Sequence, residues 1–486
     1  MSKYVRDKVI KIREMSVPAK ATFAYLICSF LQRGISTLTT PIFTRLLNTD
    51  QYGYYSIFNS WLDIVAVFTT LKLGGAVFTQ ALVKFDKERD IYTASTAGLG
   101  TSLSLLVFLI YFPIRSYVNR WMGISTDIMV CIIIASWATM IFELWAAKQR
   151  VEYKYKSLVA LSLFTSIAKP ISGIVAILCV PNEFKAQARI ISLVVVEVVS
   201  YTWIFFVFLK KGKGFYHNRY WRYSLSLNIP LIPHYLTRTI LNQCDRLMIR
   251  SMIGLGSAGI YSLAYNLAWM LTLFTNAILS TFNPWIYTRI KNKEYKQIGK
   301  MSYALLGVVA ILGLGLISLA PEVIKIFATD EYYDAIWIIP PVTASVYFLF
   351  QYSLFSCFEF YFEKTEFVSI ASTVGGILNV ILNYFCIQIF GYIAAGYTTL
   401  ICYILFAVGH YWAMRRIQIK NKIEEKSYNV SILLGISITF LAGAAIMMAT
   451  YEMVIIRYSI ILVAAVIVFV KRMQIIAVIK EIRTKE

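Results

Sequence analysis

Histidine is almost missing from this chain: His217, His234 and His410 are the three among 486 residues, and they lie far apart. HExxH, GxSxG, GxxxxGK[ST] and CxxC are all lacking, so there is no signature of a zinc protease, a serine hydrolase, a phosphate loop or a redox dithiol. The seven cysteines, Cys28, Cys131, Cys179, Cys244, Cys357, Cys386 and Cys402, are isolated from one another at the positions of small packing residues. That pattern implies neither disulfides nor a metal site. Acidic residues are scarce, 26 against 47 Lys and Arg, for a formal charge of +21. Long polar connectors are absent as well, which removes room for a soluble catalytic domain.

What fills the chain is hydrophobic: 58% of residues, with a mean hydropathy of +0.64. No soluble domain has this profile. Apolar runs long enough to cross a bilayer lie near 20–44, 53–80, 92–112, 124–147, 157–179, 188–209, 223–250, 255–287, 302–320, 334–362, 367–389, 393–414, 429–450 and 454–470. The expectation is an all-α polytopic membrane protein with about 14 transmembrane helices. The opening residues lack the apolar core and small-residue cleavage site of a signal peptide. They read either as a short amphipathic helix on the membrane surface, with Val5, Val9 and Ile12 on one side, or as a solvated basic tail.

An inside amino terminus places most Lys and Arg in the connectors on that same side, so the excess of positive charge is first a topology signal. Both termini and the connectors 210–222 and 415–428 are then cytoplasmic. No nucleic-acid partner is expected.

Sliding the chain against itself reveals a repeat. An offset of 206 lays 46–57 over 252–263, matching Gly53 with Gly259, Tyr55 with Tyr261 and Ser56 with Ser262; an offset of 210 lays 167–177 over 377–387. Six spans repeat as six in the same orientation, a parallel repeat of the kind transporters use, with a site near the membrane midplane. The expected organisation is a basic segment 1–19, an N-lobe 20–209, a linker 210–222, a C-lobe 223–414, a linker 415–428, two extra helices in 429–470 and a tail 471–486.

Seven ionisable residues lie within these spans: Arg33, Asp63, Lys72, Glu143, Lys169, Glu197 and Arg238. An Arg, Lys or Asp at the middle of a membrane helix costs roughly 2.5–3.5 kcal/mol on insertion scales, so these groups are expected to face a polar interior. Six of the seven fall in the first six spans. Ser29, Arg33, Ser36 or Thr37, and Thr40 share one helix face, as do His234, Arg238, Asn242 and Asp245 in a span interrupted by Pro230 and Pro233. A guanidinium suits phosphate oxygens, so Arg33 and Arg238, at nearly equivalent depths in the two repeats, are the leading anion-binding candidates. Their alternative is pairing with a carboxylate such as Asp63 or Asp245.

Lys169, beside Pro170 in a polar fifth span, Asn242 and Asn266 complete the candidate substrate set. Asp63, Glu143, Glu197 and Asp245 are candidates for coupling to H+ or Na+, or for salt bridges, with Lys169 or Arg33 as the partner of Glu143 or Glu197, and the crowding of carboxylates puts the expected coupling in the first lobe. Lys72 is expected to snorkel to the cytoplasmic interface rather than sit at a break at Gly74-Gly75. Glu359 and Glu363 read as a solvated helix end. No cofactor or metal is expected.

The six-plus-six-plus-two pattern, the segment PIFTRLLNTDQYGYY from Pro41, and the later segment containing Asp245-Arg246, Gly259-Ile260-Tyr261 and Asn283-Pro284-Trp285 resemble the Wzx-type polysaccharide-biosynthesis flippases. These belong to the multidrug/oligosaccharidyl-lipid/polysaccharide exporter superfamily. The resemblance implies a V-shaped, MATE-like fold, no enzymatic activity, and a place in the bacterial plasma (inner) membrane. It also implies translocation of an undecaprenyl-pyrophosphate-linked oligosaccharide by alternating access, with membrane lipids and the polymerase and chain-length proteins of the pathway as partners. Lys169-Pro170 departs from the family pattern, which often has an amide there as at Asn379. The rivals are an ion-coupled multidrug exporter of the same fold and a membrane polymerase or glycosyltransferase; the net positive charge of the buried residues argues against the first, and the short loops against the second.

Overall fold

The computed structural model describes residues 16–364 and 366–470, so the basic segment's amphipathic stretch and the 471–486 tail lie outside the described residues. Among the described residues the chain is helical, without strands. Helix α1 (Val17–Leu46) starts where Ser16 accepts from the Ala19 N–H and Pro18 occupies its first turn, where a missing N–H costs nothing. Asn48 and Gln51 form a reciprocal capping box that opens α2 (Thr49–Thr70) after a two-residue connection.

The second apolar run does not continue as one helix. Leu71 and Lys72 both adopt left-handed backbone, with φ of 48° and 50°, and the chain turns through Gly74 and Gly75 before α3 (Ala76–Lys84). The expected snorkelling of Lys72 on a continuous helix is therefore corrected: the helix breaks at the lysine. Gly74 is required there, because a Cβ at this position would lie 2.5 Å from Glu143 Cβ and 3.0 Å from its Oε2. Gly74→Ala should lower stability by about 1–3 kcal/mol through overpacking, read as a fall in the thermal midpoint in detergent. Gly34→Ala, where nothing lies within 4 Å, is the matched control and should leave the midpoint unchanged or raise it.

The chain continues through α4 (Arg89–Met122), α5 (Thr126–Val151), α6 (Tyr155–Leu178), α7 (Lys185–Gly212), α8 (Asn218–Asn228), α9 (Ile232–Met252), α10 (Leu255–Trp269), α11 (Leu271–Lys291), α12 (Tyr295–Ser318) and α13 (Ala320–Phe327). After a 3-10 segment (Asp330–Trp337) come α14 (Ile339–Tyr361), α15 (Glu366–Phe390), α16 (Ala394–Lys420), α17 (Val430–Ala449) and α18 (Val454–Val470). Pro230 falls in the 3-10 turn between α8 and α9, and Pro233 in the first turn of α9, so the interruption expected in the seventh run is present.

Nine helical segments among the described residues are long and apolar enough to cross a membrane, or ten if the 3-10 segment and α14, bent by 44°, form one span. The exterior is apolar, with Leu105, Leu109, Val199, Phe206, Ile438 and Leu462 all exposed. On a soluble protein such a surface would aggregate; against lipid chains it is at rest. The protein is thus a multi-pass membrane protein. Helices α1, α2 and α9 are not among the nine, and these are the helices that carry Arg33, Asp63, Arg238 and Asp245.

Two compact units divide at Gln243/Cys244, within α9. The core of the first gathers Leu71, Phe78, Leu144, Tyr201 and Ile204. The connector that follows α7 is fastened to it: Trp221 Nε1 donates to the Ser95 carbonyl at 2.9 Å, and Tyr92 and Ser224 share a 3.1 Å bond. Tyr220 donates to Glu88, and burial together with that carboxylate pushes the phenol up to about 12, so it remains a donor. The core of the second unit is built from Phe282, Ile298, Phe350, Phe355 and Phe440. Its last two helices are attached by polar and aromatic contacts: Tyr347 reaches Ser437 at 3.2 Å and packs on Phe440, while the buried Arg457 bonds Glu322 and the Tyr451 carbonyl.

Candidate functional site

Arg33 lies on α1 in a row of hydroxyls that mostly satisfy themselves. Thr39 and Thr40 donate back to carbonyls of their own helix at 3.0 Å, and Gln32 reaches Ser166 on α6 at 3.2 Å. The guanidinium of Arg33 is half-buried and makes no ion pair or side-chain hydrogen bond among the described residues. The same holds for Arg238, which is exposed and offers its backbone carbonyl to Asn242 Nδ2 at 2.9 Å. The alternative that a carboxylate neutralises either arginine is not met. Both arginines fall in the first unit, since the division comes after Gln243, inside α9.

Asp63, on α2, accepts from Gln243 Nε2 at 2.7 Å, and the carbonyl oxygen of that amide accepts from Ser60 at 3.0 Å. An amide, with both a donor and an acceptor, bridges the two neighbours as neither Arg nor Lys can. Lys169 and Glu197 form a salt bridge at 2.5 Å, with side chains 28% and 7% exposed. Of the two readings of Glu197, the salt bridge with Lys169 is the one present. Glu143 is half-buried and makes no ion pair among the described residues; Lys72 and Arg150 are the cations acting on it.

The densest polar cluster is centred on Asp245, 3% exposed. Its Oδ2 accepts from Tyr261 at 2.7 Å and from Thr399 at 3.0 Å, and its Oδ1 from Asn383 at 2.6 Å. Asn383 also donates to Asn379 at 3.1 Å and accepts from Thr398. Four elements of the second unit, α9, α10, α15 and α16, meet here, and every direct donor to the carboxylate is neutral. Next to it Arg246 lies over the Tyr265 ring at 4.6 Å and donates to Asn266 Oδ1 at 3.5 Å. The oxygens of Asp245, Asn379, Asn383 and Thr399 are hard donors of the type alkali cations take, while groups of three or more His, Cys, Asp or Glu able to hold a metal are lacking among the described residues.

Other buried charges were missed because a residue-type count cannot see pairing. Arg189 is clamped between the rings of Phe43 and Tyr55, 3.7 and 3.6 Å from their centroids, where π faces take the place of a carboxylate. Glu359, expected at a solvated helix end, is fully buried and 2.7 Å from His410. The signal was present for Glu359: it is the one charged residue in the helix from Ile339 to Tyr361.

The model of the family described as polysaccharide biosynthesis protein matches residues 19–291, more than half of the chain. A relative from Haemophilus influenzae, named Lsg locus putative protein 1, is 19% identical over 392 residues, covering 74% of this chain and 89% of its own. Among solved structures, the lipid II flippase MurJ in an inward closed conformation superposes with a TM-score of 0.69 at 17% identity, over 92% of this chain and 99% of that one. An inward-facing multidrug resistance MATE transporter of the MOP superfamily gives 0.61 at 13%, over 81% and 96%. By the match of its family model over more than half of its length, the chain belongs to the polysaccharide biosynthesis protein family, built on the MurJ- and MATE-like fold.

Proposed function

We propose that this protein is a flippase that moves an undecaprenyl-pyrophosphate-linked oligosaccharide from the inner to the outer leaflet of a bacterial plasma membrane by alternating access, with both termini cytoplasmic. The observation that carries this reading is the pair of guanidiniums, Arg33 and Arg238, that lie on the polar helices α1 and α9 without an ion-pair partner among the described residues. A guanidinium with no fixed carboxylate is open to a visiting anion, and its planar fork matches a pyrophosphate. Lys169, held by Glu197, contributes no net charge, so we assign it a positioning role beside Tyr201 rather than capture of an acidic sugar. Asn242 and Asn266 supply amides near the two arginines 238 and 246.

Coupling to H+ or Na+ fits Asp245, whose direct hydrogen-bond donors among the described residues are all neutral while the adjacent Arg246 acts on it without a direct bond. The family and the likeness to the lipid II flippase support a lipid-linked substrate; the likeness to multidrug transporters keeps a soluble drug as the second reading. Reconstitution into vesicles decides between them. A fluorescent undecaprenyl-pyrophosphate oligosaccharide should exchange between leaflets faster than in protein-free vesicles, with soluble cationic dyes left untouched. Dye efflux without lipid exchange would reverse the assignment.

A further inference from the structure

Glu359 on α14 and His410 on α16 lie in the second unit, away from the Asp245 carboxylate's own hydrogen-bond partners. Their side chains are 0% and 2% exposed, and Glu359 Oε1 is 2.7 Å from His410 Nδ1. Tyr352 stacks on the imidazole at 5.0 Å, and Phe367 and Phe406 turn their planes nearly perpendicular to it at 5.4 and 6.4 Å. Glu359 Oε2 is buried and has no hydrogen-bond partner among the described residues.

Tyr352 is the titratable ring against the pair. The charged side chains on helices packed against α14 and α16 are Arg289 and Lys291 on α11, Lys296 and Lys300 on α12, Glu366 on α15, and Arg415, Arg416 and Lys420 on α16 itself; Asp330, Glu331 and Asp334 belong to the 3-10 segment at the opposite end of α14. None forms an ion pair with Glu359 or His410. Arg289 is taken by Glu294, Lys296 by Glu425 and Arg415 by Gln418.

A carboxyl and an imidazole joined by one hydrogen bond are neutral together when they share a single proton. Inside an aromatic box, losing that proton or gaining another leaves a net buried charge, which dry surroundings disfavour. The proton count is therefore fixed while the box is closed and free to change when water enters between α14 and α16. An apolar pair would pack at least as well, so an ionisable pair at this depth points to use rather than to stability. We propose that Glu359 and His410 form a proton-binding site, distinct from the Asp245 cluster, that is loaded and emptied during the transport cycle when water reaches it.

The site stands on the geometry alone; its link to transport rests on the function proposed above. Deuterium exchange at the imidazole C2 position of the purified full-length protein reports His217, His234 and His410 separately. Removing the carboxylate with Glu359→Gln should change the pH profile of exchange at His410 and leave the profiles of His217 and His234 unchanged. In vesicles, an imposed pH gradient should change leaflet exchange of the fluorescent lipid-linked oligosaccharide by about threefold or more in the wild type, and should have no effect in Glu359→Gln or in the Glu359→Leu, His410→Leu double variant. The double variant replaces the pair by apolar groups and keeps the test open if a stranded imidazole prevents the single variant from folding. An unchanged His410 profile, a wild type indifferent to the gradient, or a gradient response retained by the double variant would overturn the proposal. A wild type that exchanges no lipid at all counts against the transport reading, and the deuterium measurement then decides the proton site by itself.

Discussion

Arg33→Ala and Arg238→Ala should each reduce polymer export by about 10- to 100-fold while the protein still inserts and folds. That range corresponds to the loss of a charge-assisted, two-point contact with a phosphate, about 1.5–3 kcal/mol. A structural role predicts the opposite pattern, poor expression of the alanine variants and rescue by removing a partnering carboxylate. Neither arginine has such a partner among the described residues, so there is nothing to remove. Lysine at either position should restore only part of the export, because a point charge lacks the planar fork. Wild-type export by a well-expressed Arg33→Ala, Arg238→Ala double variant would end the idea of a pyrophosphate clamp.

Asp245 carries the second large effect, and here folding and function separate by choice of substitution. Asp245→Ala leaves Tyr261, Asn383 and Thr399 with buried donors aimed at nothing, at about 1–3 kcal/mol for each unsatisfied group, and should sharply reduce the amount of folded protein. Asp245→Asn keeps the shape and fills the space but removes the charge. It should reach the membrane in near-normal amounts and lose the response of leaflet exchange to an Na+ or H+ gradient, whichever the wild type shows. Gradient dependence retained in a folded Asp245→Asn protein would show that this carboxylate serves only to hold α9, α10, α15 and α16 together.

The class of fold was legible because hydrophobic runs of bilayer length state it directly, and the polar faces of α1 and α9 were legible from spacing. Pairing was legible only as an alternative. Lys169 and Glu197 stand 28 residues apart on separate helices; their salt bridge is one of two readings open to Glu197 in the sequence, and tertiary structure selects it. Lys72 was misplaced because Gly74-Gly75 was weighed as a helix-breaking option without Glu143, the neighbour that makes a side chain at 74 too large. Asp245 was seen as one carboxylate on a polar face; its setting depends on Asn383 and Thr399, more than a hundred residues on. Glu359 was read from its neighbours in sequence, Glu363, Lys364 and Glu366, whereas its neighbour in space is His410.

The glycines that let the post-α7 connector lie against the first unit constrain how this protein can be taken apart. A Cβ on Gly98 would stand 2.1 Å from the Phe215 carbonyl oxygen, and one on Gly212 would stand 2.6 Å from that of Asp90. Backbone thus rests on backbone, and Tyr220 and Trp221 seal the contact just downstream. A fragment ending at the apparent linker would lose that seal, and the division between the units falls later, inside the unbroken turns of α9. The halves are consequently not interchangeable cassettes: recombining them between relatives at the obvious junction separates α8 from the surface that it was shaped to cover.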